Sequence, residues 1–115
     1  MSRDEATLLD IQKACRLAVS FLGDLDRAAF QADPKTQAAV VHELLVLGEA
    51  VKRLSPAFTA RVSGVPWAAI AGMRDKLIHH YDAVDLDLVW RAASVDVPRL
   101  LSALDPFLPR PGTGG

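Results

Sequence analysis

The sequence predicts an all-α fold, an antiparallel helical bundle of four main helices plus a short extra helix. Apolar residues recur at intervals of three and four, and prolines follow capping residues where helices should begin. No apolar–polar alternation long enough for a useful strand appears. The chain has 115 residues, a length that suits one domain with a modest core. The expected division is a single helical domain over residues 1–108 and a flexible tail over 109–115.

Ser2 and Glu5 have the spacing of a capping box, and Asp4 and Glu5 suit the positive end of the first helix. Leu8, Ile11, Cys15, Ala18, Leu22 and Leu25 then form one buried stripe. Asp33-Pro34 combines an N-cap with a proline at the first helical position, opening a second helix that should run to about Leu54. Its apolar residues, Val40, Val41, Leu44, Leu45, Leu47, Val51 and Leu54, cover more than one face, which predicts a central position. Ser55-Pro56 starts a short helical turn that Ser63-Gly64 ends, and Pro66 opens the third main helix, expected over 66–81. Asp82 to Asp85 is a polar break, with Asp85 the N-cap of a last helix through Leu86, Val89, Trp90 and Ala93. Pro98 falls inside that pattern and predicts a kink or a restart. Leu100, Leu101, Leu104 and Leu108 extend the stripe, whereas the tail from Pro109 has nothing to bury.

Half the residues are apolar and 23% are charged, a balance that excludes a wholly disordered chain. Aromatics are only 6%, so Leu, Val, Ala and Ile must fill the core. Cys15 is the single cysteine and cannot form an internal disulfide, which fits a reducing cytoplasm. The N-terminus has no basic n-region or cleavable apolar segment. The most apolar stretch, Ala38 to Val51, is interrupted by His42, Glu43 and Glu49 and is too short for a bilayer. The expectation is a cytoplasmic protein without membrane association. A net charge of −1 argues against broad, backbone-driven nucleic-acid binding, which needs a basic excess. Any such contact must be local, transient, or built by more than one chain.

Projected on a helix, Trp67, Ile70, Ala71, Leu77, Ile78 and Tyr81 share an apolar stripe, and position 74 of that stripe is an arginine. An unpaired guanidinium is costly to bury. Arg74 could therefore pair with Glu43 or Glu49, snorkel to water at the stripe's edge, or face a cleft or subunit interface. His79 and His80 suit a helix C-terminus without any further role, and Tyr81 suits an amphipathic core position. Arg74 and His79 lie about 140° apart around a regular helix, whereas Arg74 and Tyr81 nearly stack. A two-fold homodimer would bring two copies of Arg74 and His79 together and create a local positive site.

Arg74, His79 and Tyr81 also form a motif: arginine, four residues, histidine, one residue, tyrosine. Around it stand Pro66-Trp67, Ile70, Gly72-Met73-Arg74-Asp75-Lys76-Leu77-Ile78-His79, Val84-Asp85 and Val89-Trp90, with Gly48-Glu49-Ala50 upstream. In motif, flanks and length the chain resembles the HepT-like toxins of the HEPN ribonuclease superfamily. Asp75 is a variation, because many members have asparagine after the arginine. The resemblance implies a metal-independent endoribonuclease toxin that needs no cofactor, cuts RNA and works as a homodimer. It further implies an MntA-like nucleotidyltransferase antitoxin that uses ATP and magnesium to AMPylate Tyr81.

On that resemblance His79 is the acid–base residue, since an imidazole exchanges protons near neutral pH. Arg74 binds the phosphate and stabilises its developing charge. His80 fills the motif's variable position, while Glu49 and Asp75 are possible supporting residues. The absence of a Cys/His or clustered-carboxylate pattern agrees with metal-independent chemistry. The competing reading is a non-catalytic helical binding partner of a nucleotidyltransferase.

Overall fold

A computed structural model describes residues 2–80 and 83–109, with His79 and His80 described by their backbone. Helix α1 (Arg3–Leu22) opens with the capping box: the Glu5 N–H donates to Ser2 Oγ at 3.1 Å, and the Ser2 N–H donates to Glu5 Oε1 at 3.2 Å. Leu8, Ile11, Cys15, Ala18 and Leu22 are buried as their spacing predicts. Gly23, at φ 58°, ends the helix in a conformation that favours glycine.

Helix α2 (Arg27–Gln31) is a short element beyond those the periodicity marks, capped by Asp26, whose carboxylate accepts the Ala29 N–H at 2.8 Å. Helix α3 (Pro34–Val51) starts at the Asp33 cap and ends slightly before Leu54. It makes its largest contact with α1 and also touches α2 and the helical segments between Trp67 and Asp96. The α1–α3 pair is antiparallel, since Asp4 meets Ser55 and Asp10 meets Arg53. A long apolar helix at the centre is what residues covering several faces require. Helix α4 (Pro56–Arg61) follows, capped by Ser55.

The third main helix departs from its expected form. It divides into α5 (Trp67–Ala71) and α6 (Met73–Leu77), separated by Gly72, and then passes into an extended strand β1 (Ile78–His80). Strand β2 (Ala83–Val84) pairs antiparallel with β1, matching Ile78 to Val84 and His80 to Ala83 with an irregularity between. The Asp85 N–H donates to the Leu77 carbonyl at 2.8 Å, taking up a group at the end of α6. Isoleucine and paired histidines are weak helix formers, so little in the local sequence opposes the change to extended backbone at Ile78. Among the described residues the bundle is all-α apart from this two-stranded ribbon.

Helix α7 (Leu86–Arg91) begins at the Asp85 cap, as predicted, and continues through a π-helical segment over Ala92–Asp96 into α8 (Val97–Leu104). Pro98 has no N–H to offer the preceding turn, and the widened segment just before it relieves the ring's clash with that turn. Ser94 Oγ donates to the Trp90 carbonyl at 2.6 Å within the same stretch. The last helical element is a 3₁₀ turn, Asp105–Phe107, among the described residues. One contiguous core joins the helices through residues such as Leu8, Ile11, Phe30, Leu44, Leu47, Leu77, Val89 and Leu104. No helix of the described residues is long and apolar enough to cross a membrane. Residues 110–115, most of the predicted tail, lie outside the described residues.

Candidate active site at a helix-to-ribbon junction

The motif segment is held in place from three sides. Below it, Gly48 of α3 lets the backbone of α5 and α6 approach closely: a Cβ at that position would lie 3.0 Å from the Ile70 carbonyl oxygen and 3.5 Å from Met73 Cβ. Upstream, Trp67 Nε1 donates to the Val62 carbonyl at 3.0 Å, and its ring packs edge-on against Phe58 at 6.2 Å. Downstream, Trp90 lies against Phe30 with ring centroids 5.8 Å apart. At the junction itself Leu77 is 1% exposed, and burial of such a side chain contributes about 1.5–3 kcal/mol. The fixed elements around the motif are therefore the same residues that made its flanks distinctive.

Arg74 does not occupy the core stripe. Trp67, Ile70, Ala71, Leu77 and Ile78 are buried or half-buried, but Arg74 is exposed, with Asp75 and Lys76 beside it on α6. The break at Gly72 and the end of α6 at Leu77 interrupt the continuous helix on which the projection rests. Neither proposed carboxylate pairs with Arg74. Glu49 lies 3.1 Å from Lys52 Nζ, and the buried Glu43 lies 3.9 Å from His42 Nε2. Among the described residues Arg74 has no ion pair.

The His79 and His80 backbones run in β1, directly after α6. Tyr81 lies outside the described residues. Arg74 and His79 therefore flank the place where helix gives way to strand. Among the described residues, no three of His, Cys, Asp and Glu cluster as metal ligands. Sequence reasoning passed over Gly72 as a breaker and Lys76 as an exposed cation inside the motif. Only the glycine carried a local signal.

The family described as "Ribonuclease HepT-like" matches residues 11–107. The chain belongs to the HepT-like ribonuclease family. It is 36% identical over 103 residues to a Methanocaldococcus jannaschii protein provisionally named an RNase, covering 90% of this chain and 85% of that one. A Thermococcus cleftensis protein, provisionally named ribonuclease HepT, is 39% identical over 93 residues, or 81% of this chain and 84% of the relative. A third relative, from Caldanaerobacter subterraneus subsp. tengcongensis and provisionally named an RNase, is 38% identical over 90 residues, covering 78% and 80%. No solved structure gives a significant match. In this HepT-like chain the matched span takes in the α3 glycine, the motif helix, the ribbon and the helix that follows.

Proposed function

We propose that this HepT-like chain is a metal-independent, HEPN-type endoribonuclease toxin, active as a homodimer and silenced by AMPylation of Tyr81. The observation that carries the reading is Arg74. It is a permanent cation, exposed and without an ion pair among the described residues, five positions before a histidine at a structural junction. An exposed guanidinium with no carboxylate on it among the described residues keeps its forked donors open to a phosphate. The names carried by the relatives agree with action on RNA.

In this mechanism the RNA's own 2′-hydroxyl attacks the adjacent phosphorus. His79 accepts the hydroxyl proton, the new 2′-oxygen–phosphorus bond forms, and the bond to the departing 5′-oxygen breaks. The partner's His79, in its protonated form, returns a proton to that oxygen. Arg74 stabilises the charge on the phosphorane's equatorial oxygens. A two-fold interface supplies both histidines and both arginines, which reconciles a phosphate site with a chain of net charge −1. A small nucleotidyltransferase antitoxin would transfer AMP from ATP, with magnesium, to the Tyr81 hydroxyl, releasing pyrophosphate. The added phosphate would pair with Arg74 and exclude RNA.

Purified protein incubated with RNA beside Arg74→Ala and His79→Ala tests the enzyme. The wild type should cut and both variants should fail, whereas equal cleavage by all three would identify a contaminant. Coexpression with the product of the neighbouring gene, followed by mass spectrometry, should place one adenylyl mass on Tyr81. An active transferase that leaves Tyr81 unmodified would overturn the switch.

A further inference from the structure

Beside the motif lies a groove of about 420 Å³ between α5–α6 and the α7–α8 helix. That volume falls within the roughly 300–1,000 Å³ of small-molecule sites. Its floor is apolar, formed by residues such as Ile70, Leu77, Leu88 and Leu100. Three cations line it, Lys76, Arg91 and Arg99, with a single anion, Asp96. Three positive charges and one negative leave the groove at +2, on a chain whose total is −1. All three cations are exposed, and none has an ion pair among the described residues. Lys76 stands two residues after Arg74 on α6, so the groove adjoins the motif.

We infer that this groove holds one nucleotide of a single-stranded RNA next to the cleavage point, its base on the apolar floor and its phosphate among Lys76, Arg91 and Arg99. The inference rests on the ribonuclease reading of the motif and adds to it a second phosphate contact. An apolar floor within a cationic rim matches the two-part chemistry of a nucleotide, an uncharged planar ring joined to an anion. Asp96 offers an acceptor for a base amino or imino hydrogen. The groove also explains how a weakly acidic chain can hold RNA beyond the single phosphate being cut: the positive charge is concentrated where the strand passes.

A labelled 2′-O-methyl RNA oligonucleotide, which lacks the attacking hydroxyl, can be followed by fluorescence anisotropy across a salt series with the full-length protein. The comparison sets wild type against the Arg91→Gln/Arg99→Gln double variant, Lys76→Gln alone, and Lys13→Gln on the α1–α3 face. The double variant should weaken binding at least fivefold and flatten the salt dependence, by about 0.7 in log–log slope for each lost phosphate contact. Lys76→Gln should show a smaller change of the same kind, Lys13→Gln none, and Arg91→Lys/Arg99→Lys should recover much of the affinity.

If wild type cuts RNA while the groove variants bind and cut equally well, the groove assignment falls and the ribonuclease reading stands. A wild type that neither binds nor cuts RNA removes both. Unchanged RNA affinity with loss of self-association would assign the groove to a second copy and overturn the proposal. Unchanged RNA affinity with loss of transferase binding would overturn it in favour of a protein partner.

Discussion

Gly48 and Ile70 approach so closely that a methyl group on the glycine would stand 3.0 Å from the isoleucine carbonyl oxygen. The obstacle is backbone, which cannot rotate away as a side chain can. The contact sets the separation between the central helix and the segment that carries Arg74. Gly48→Ala should therefore destabilise the fold by about 1–3 kcal/mol, the usual range for overpacking. Urea unfolding would show it as a lower midpoint with little change in slope. RNA cleavage should fall as well, because the motif would be pushed outward. An unchanged midpoint would mean that the helices separate freely at this point.

Arg74→Ala provides the opposite case. The side chain is exposed and without an ion pair among the described residues, so its loss should alter stability by no more than about 0.5 kcal/mol. Cleavage should nevertheless be lost. A thermal melt and an RNA assay on the same preparation separate the two effects. A large drop in melting temperature would return Arg74 to a structural role.

The contact between Asp4 and Ser55 joins the start of α1 to the cap of α4. Ser55 Oγ donates to Asp4 Oδ2 at 2.6 Å, and the Ser55 N–H donates to Asp4 Oδ1 at 2.9 Å. The hydroxyl first, and the N–H second, hold the Asp4 carboxyl below its ordinary 3.8. A depressed folded value means stabilisation that is complete above the unfolded value and lost as pH falls through the folded one. Asp4→Asn should thus lower the melting temperature at pH 6–7. The gap from wild type should narrow as pH falls below about 4. A gap that stays constant with pH would place the effect elsewhere.

Cys15 is fully buried, and burial pushes its thiol up to about 12. Since only the thiolate reacts readily with alkylating reagents, Cys15 should resist iodoacetamide at pH 8 in the folded protein. It should label fully once the protein is unfolded in guanidinium. Rapid labelling of the native state would reveal that α1 opens locally.

Several elements were legible because their causes are local. The Ser2–Glu5 box, the Asp33-Pro34 and Ser55-Pro56 starts and the Asp85 cap each satisfy orphan backbone groups with residues a few positions away. Their signatures therefore stand in the sequence itself. The buried stripe of α1 and the central place of α3 follow in the same way from spacing. The motif, by contrast, read as one continuous helix from Pro66 to Tyr81. Gly72 and the extended Ile78 break it, and the bond from the Asp85 N–H to the Leu77 carbonyl takes up a group at its end.

The sequence alone determined the all-α class, the caps of the longer helices, most of the core and the family, because periodicity, capping chemistry and motif spacing are written in neighbouring residues. Tertiary structure decided that Arg74 is exposed and that Lys76 shares a groove with Arg91 and Arg99. Those outcomes depend on where α3 and the α7–α8 helix pack against a short, interrupted segment. A helix projection assumes continuity and cannot register a partner residue from a distant part of the chain.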